Sequence, residues 1–200
     1  LDGAYLDEHT RANLARYLAE QRAATGVVPD EATVVLERFR DELGDWRVVV
    51  HSPLGRRVLA AWALVIGEAL SRDAGLDIQP MAADDGIVFR LPDADAVERL
   101  SEFLVPDPDE VAQIVTEQVG GTALFAGRFR ECAARALLLP RPNPGKRAPL
   151  WQQRQRSAQL LEVARHHPRF PIVLETVREV TQDVYDVPGL VELARALRSG

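Results

Sequence analysis

Two hundred residues, 46% of them hydrophobic, suffice for one or two folded domains with a true core and exclude a disordered tail. A single cysteine, Cys132, excludes a disulfide framework and a multi-thiolate zinc site and suits a reducing cytoplasm, and no run of about eighteen apolar residues is present to span a membrane. The net charge of −6 excludes a surface that is basic all round. The chain opens Leu1-Asp2-Gly3-Ala4, with neither Met nor a basic-then-apolar leader, and reads as a piece of a longer polypeptide.

Residues 8–24 carry Leu14, Leu18 and neighbouring alanines at helical spacing, and Gly26 closes this helix before Val27-Val28-Pro29 leads out. The β-branched run 33–40, the turn 41–45 and the apolar run 46–51 predict a β-hairpin. Ser52-Pro53-Leu54-Gly55 punctuates the chain, and 57–71 is a long apolar helix holding Trp62, Leu64, Ile66 and Leu70. Residues 76–82 and 86–91 predict a second strand pair around the tight-turn sequence Asp84-Asp85-Gly86. After Pro92 only helices are expected: 93–104, 107–119, 122–139 with Thr122 as its cap, 149–166, 170–184 and 189–197. Between the third and fourth of these, Pro140-Arg141-Pro142-Asn143-Pro144-Gly145 suits neither helix nor central strand. The expected fold class is α+β: two β-hairpins forming a small antiparallel sheet with a long helix, followed by a mostly helical half. Residues 1–92 form the hairpin-helix-hairpin subdomain and 93–200 the helical one, together a single unit.

The charge is unevenly placed. Between Arg128 and Arg156 stand eight basic residues (Arg128, Arg130, Arg135, Arg141, Lys146, Arg147, Arg154 and Arg156) against one acid, Glu131. A chain that is acidic on average still offers such a face to a polyanion, because screening confines each patch to about 10 Å. The plainer reading is a solvated helix face followed by a basic loop.

Tests for catalytic chemistry fail one after another. At Gly145-Lys146 a phosphate loop would need Gly where Pro140 stands and Ser or Thr where Arg147 stands. Asp30-Glu31-Ala32-Thr33 has the form of a magnesium-holding acidic box, but Pro29 precedes it, so it is a turn entering the first hairpin. His166 and His167 point about 100° apart on a helix and make a poor metal pair, and His51 is a structural histidine at a strand end. Cys132 shares an apolar helix face with Phe125, Phe129 and Ala136 and reads as a buried thiol, while Asp84 and Asp85 are explained by turn chemistry.

The basic segment remains. Arg128 and Arg135, seven apart, share a helix face from which Arg130 is turned away; beyond the loop, Arg154 lies three residues after Trp151, on the same side. Guanidinium groups grip phosphates and an indole stacks on unpaired bases, so Arg141, Lys146, Arg147 and Arg154 are candidate phosphate contacts and Trp151 a candidate stacking platform. A tryptophan here is otherwise buried against neighbouring helices. Arg56 and Arg57, with the free amides of a helix start, form a second candidate phosphate site.

These stretches resemble the large helicase-related (Lhr) family, in the DEAD/H-associated region that follows its motor and winged-helix domains. The resemblance rests on residues 39–57 (FRDELGDWRVVVHSPLGRR), 84–92 (DDGIVFRLP), 123–135 (ALFAGRFRECAAR), 137–140 (LLLP), 144–154 (PGKRAPLWQQR), 170–178 (FPIVLETVR) and 186–190 (DVPGL). It implies an accessory domain of an ATP-dependent 3′-to-5′ DNA helicase, cytoplasmic and engaged in DNA repair. Its implied partners are single-stranded DNA or a DNA–RNA hybrid, and the motor and winged-helix domains of the same polypeptide. ATP and magnesium would serve the full-length enzyme, this chain having no cofactor and, lacking the ATPase motifs, no activity of its own. The rival expectation is an interdomain brace whose arginines pair with acids of the motor and never touch nucleic acid.

Overall fold

The computed structural model describes residues 5–30, 33–75, 78–140, 145, 149–167 and 169–199. Helix α1 (Glu8–Thr25) is capped by Asp7, which accepts from the Thr10 amide at 2.8 Å, and stopped by Gly26 in the left-handed region. None of its residues is fully buried, and Tyr17 reaches from it to Asp85 at 3.2 Å.

Strands β1 (Val35–Arg40) and β2 (Trp46–His51) form the expected hairpin, pairing Val35 with His51 through to Arg40 with Trp46. The turn is built on Asp41, whose carboxylate accepts from the amides of Leu43 and Asp45, each at 3.0 Å, and from Arg47 Nε at 2.8 Å. Helix α2 (Arg56–Ala74) then crosses over the sheet before β3 (Met81–Ala82) and β4 (Gly86–Leu91) complete it in the order β1-β2-β4-β3, all antiparallel. The two hairpins thus become one sheet, because β4 pairs with β2. Strand β3 is shorter than the expected 76–82: Pro80 has no N–H for the ladder and instead lies over α2 near Gly67, while residues 76 and 77 are outside the described set. Gly86 is obligatory at the start of β4, since a Cβ there would stand 2.7 Å from the Val50 carbonyl oxygen.

Register explains the core. Val48 and Val50 of β2 lie opposite Phe89 and Ile87 of β4, so their side chains share the face on which α2 lays Leu59, Trp62, Ile66 and Leu70, all fully buried. The opposite face carries a hydrogen-bonded Glu37–His51 pair at 2.9 Å and the ion pairs of Asp41 with Arg47 at 2.8 Å and Asp45 with Arg90. His51 is therefore a structural histidine, held by a cross-strand carboxylate.

The rest is helical as expected: α3 (Ala94–Glu102), α4 (Pro108–Val119), α5 (Ala123–Arg135), α6 (Leu150–Arg165), α7 (Pro171–Glu179) continuing into a π-turn (Val180–Val184), and α8 (Val187–Ser199). Asp93, Asp107 and Thr122 cap α3, α4 and α5 through their side chains. Helix α5 ends four residues short of the expected 139. Its last carbonyls are taken by the Leu137 and Leu138 amides, at 3.1 Å to Ala134 and 2.9 Å to Ala133, with Leu137 left-handed at φ 61°. Phe125, Phe129, Cys132 and Ala133 form its buried face, Ala136 having fallen beyond the stop. The single thiol is buried, as its place on an apolar stripe requires, and accepts from Arg135 Nη2 at 3.1 Å.

Candidate nucleic-acid interface

Helix α6 carries two of the candidate residues, Trp151 and Arg154. Ser157, Leu161 and Ala164 are buried on its inner face, which packs α6 beside α5. Trp151 and Arg154 fall outside that face and are exposed, Trp151 to 63%. Burial of the indole, the common fate of tryptophan, is thereby overturned: Trp151 sits in the first turn of α6, and among the described residues no neighbouring helix covers it. Leu137, Leu138 and Leu150 are exposed too. Arg141, Lys146 and Arg147 lie outside the described residues.

Between α5 and α6 runs a groove of about 650 Å³. The buried Ser157 and Leu161 line it together with the small residues Ala126 and Gly127 from α5 and Ala158 from α6; Arg130, Arg154 and Arg165 line it too, with Glu162 the only acid among the described residues of its lining. Arg165 is anchored by a hydrogen bond from Nη2 to the Gly120 carbonyl at 3.1 Å. Among the described residues no acidic side chain pairs with Arg130, Arg154 or Arg165. By contrast, the face shared by Arg128 and Arg135 is neutralised, Arg128 by Glu131 at 2.9 Å and Arg135 by Glu179. The arginine that the helical spacing turns away from that pair, Arg130, is the one that lines the groove with Arg154.

Sequence reasoning missed Arg130 and Arg165, although the signals were present. Positions 154, 158, 161, 162 and 165 follow a helical stripe continuing from Trp151, and the small residues Ala123, Ala126 and Gly127 at the same spacing as Arg130 mark a face made for close approach. The second candidate site stands apart. Gly55 holds φ 81° ahead of α2, and among the described residues no side chain caps the first-turn amides. Arg56 is exposed there, while Arg57 donates to the Gln182 carbonyl at 3.2 Å and its own carbonyl accepts from Asp186, so Arg57 ties α2 to the π-turn and the start of α8. No hydrogen bond among the described residues joins this pair to the α5–α6 groove.

Among the described residues, no three His, Cys, Asp or Glu side chains gather closely enough to hold a metal ion, and no helix is long and apolar enough to cross a membrane. A nucleotide phosphate finds no glycine-rich cradle at Gly145, because Pro140 and Arg147 occupy the positions where such a loop needs Gly and a hydroxyl.

An α+β unit with an unneutralised arginine groove beside an exposed tryptophan has the features of a candidate polyanion-facing surface. Residues 28–200 match the DEAD/H-associated family, and the chain belongs to it. It is 62% identical over 181 residues to the Lhr helicase/probable uracil glycosylase of Mycolicibacterium smegmatis, covering 90% of this chain and 12% of that protein. To the Lhr helicase/uracil glycosylase of Escherichia coli it is 53% identical over 194 residues, 97% of this chain and 13% of that one. The fold superposes with a TM-score of 0.84 on the Mycobacterium smegmatis helicase Lhr bound to ssDNA and AMP-PNP, at 59% identity over 96% of this chain and 24% of that one. The chain thus corresponds to one domain of Lhr-type helicases and spans a small part of their length. Helix α1 precedes the family match.

Proposed function

We propose that this chain is the accessory domain of an ATP-dependent Lhr-type DNA helicase, guiding single-stranded DNA past the motor. Translocation would run 3′ to 5′, with ATP and magnesium held elsewhere in the polypeptide. The observation that carries the reading is the exposed Trp151 one helical turn from Arg154, an aromatic platform beside an unneutralised cation. The proposed contacts are Arg141, Lys146, Arg147 and Arg154 for phosphates, Trp151 for a base, and Arg56 and Arg57 for a further phosphate.

The test is binding of a labelled single-stranded oligonucleotide to this chain across a salt series, beside a W151A/R154A variant. The expected outcome is binding that weakens with salt and a slope about 0.7 smaller in the variant, in which one phosphate is no longer neutralised. Absence of binding at low salt from a folded chain overturns the reading. A second reading, the interdomain brace, draws on the exposed Leu137, Leu138 and Leu150, apolar side chains suited to a protein neighbour. A hybrid DNA–RNA competitor in the same assay tests the range of strands accepted.

A further inference from the structure

Resting on the strand-guiding reading, we propose that the α5–α6 groove is the seat of the strand, with Arg130 and Arg165 as phosphate contacts in line with Arg154. Three guanidinium groups line one groove, and a single carboxylate among the described residues of its lining, Glu162, offsets only part of that charge. Their arrangement selects the anion. Arg154 and Arg165 are eleven residues apart on one helix, about 16 Å along the axis at 1.5 Å per residue. A lone phosphate ion cannot bridge that distance, whereas a polymer with repeating phosphates meets both ends.

The geometry also gives the direction of the track. Arg165 is fixed near the start of α5 by Gly120, so the Arg154 end lies alongside Arg130, further down α5. Trp151 extends the same stripe by one more helical turn, out of the groove and into solvent. A strand lying along the groove would therefore bring an unpaired base over the indole at the Arg154 end. Small residues along its rim, Ala126, Gly127 and Ala158, let the sugar–phosphate chain approach both helix backbones, and the hydrogen bond to Gly120 uses one of the five N–H donors of Arg165, leaving four. The positive end of the α5 dipole, at the Arg165 end, acts in the same sense.

The experiment measures anisotropy of a fluorescein-labelled oligo-dT with the whole chain, the R130A/R165A double variant and A158E, each checked for folding by circular dichroism. A158E deletes nothing: it places a carboxylate in the groove at an exposed position of a helix that glutamate favours. The expected result is a fall of at least about tenfold in affinity for both variants, and a salt slope smaller by about 1.4 in the double variant, twice the single-strand value for one phosphate. Wild-type-like affinity and slope in both variants, with the wild type binding normally, would overturn the groove while leaving the strand-guiding reading in place. Failure of the wild type itself to bind overturns that reading. Capture of poly-glutamate by the same arginines, with no binding of oligo-dT, would make the groove a protein-docking site and overturn both.

Discussion

Leu137 holds a left-handed conformation at φ 61°, which costs an L-residue about 1–2 kcal/mol. It does so to close α5, its own amide and that of Leu138 capping the last carbonyls. Glycine relieves the strain but gives up more chain entropy on folding. L137G is therefore expected to gain about 0.5–1 kcal/mol and to raise the melting midpoint by about 2 °C. A lower midpoint would show that the packing of this largely exposed leucine outweighs its strain. This residue also explains why the end of α5 was illegible: Ala136-Leu137-Leu138-Leu139 contains no Gly, Asn or Pro to announce a stop. Cys132, on an apolar stripe with two phenylalanines, was legible as buried. The fates of the arginines were not, because Arg135 is neutralised by Glu179 on another helix, and no local spacing reports such a partner.

The β1–β2 hairpin is the element most fully written in its sequence, since one residue sets the turn and alternation sets the faces. Asp41 is acted on in opposite directions: desolvation pushes its carboxyl upward, but the Arg47 guanidinium and the amides of Asp45 and Leu43 together hold it below the usual carboxylate range. A carboxyl depressed in the folded state stabilises the fold fully above its unfolded pKa of about 3.9 and loses that contribution as pH falls through its lower folded value. D41N, whose amide cannot take the charged bond from Arg47, should unfold at lower urea than wild type at pH 7. The gap should close progressively below about pH 4, as the wild-type carboxyl protonates. A gap unchanged at about pH 2.5 would mean that the turn is held by shape alone. The second hairpin was legible at Asp84-Asp85-Gly86 but not in its pairing. That β4 joins β2 depends on α2 crossing the sheet, a choice made by packing and invisible to local pattern.

At the scale of the molecule, composition divides the chain near Pro92, with strands before and only helices after, yet α2 belongs to both sides. One of its faces lies on the sheet and another on α4 and α8. Trp62, fully buried in it, donates its indole N–H to the Leu104 carbonyl at 2.9 Å, and Gln118 of α4 donates to Glu68 at 2.7 Å. A piece ending at residue 92 would expose the helix-facing side of α2 and leave the Trp62 donor without its carbonyl, and a piece beginning at 93 would lack the surface on which α4 and α8 close. The two subdomains should therefore unfold as one. In a W46F/W151F background Trp62 is the sole indole, and its fluorescence reports the junction while circular dichroism in the far ultraviolet reports mainly the helical half. Coincident midpoints and slopes by the two probes in urea are the expected outcome. Separate transitions, with dichroism retained after Trp62 is exposed, would show that the helical half stands alone and that α2 joins it only by docking.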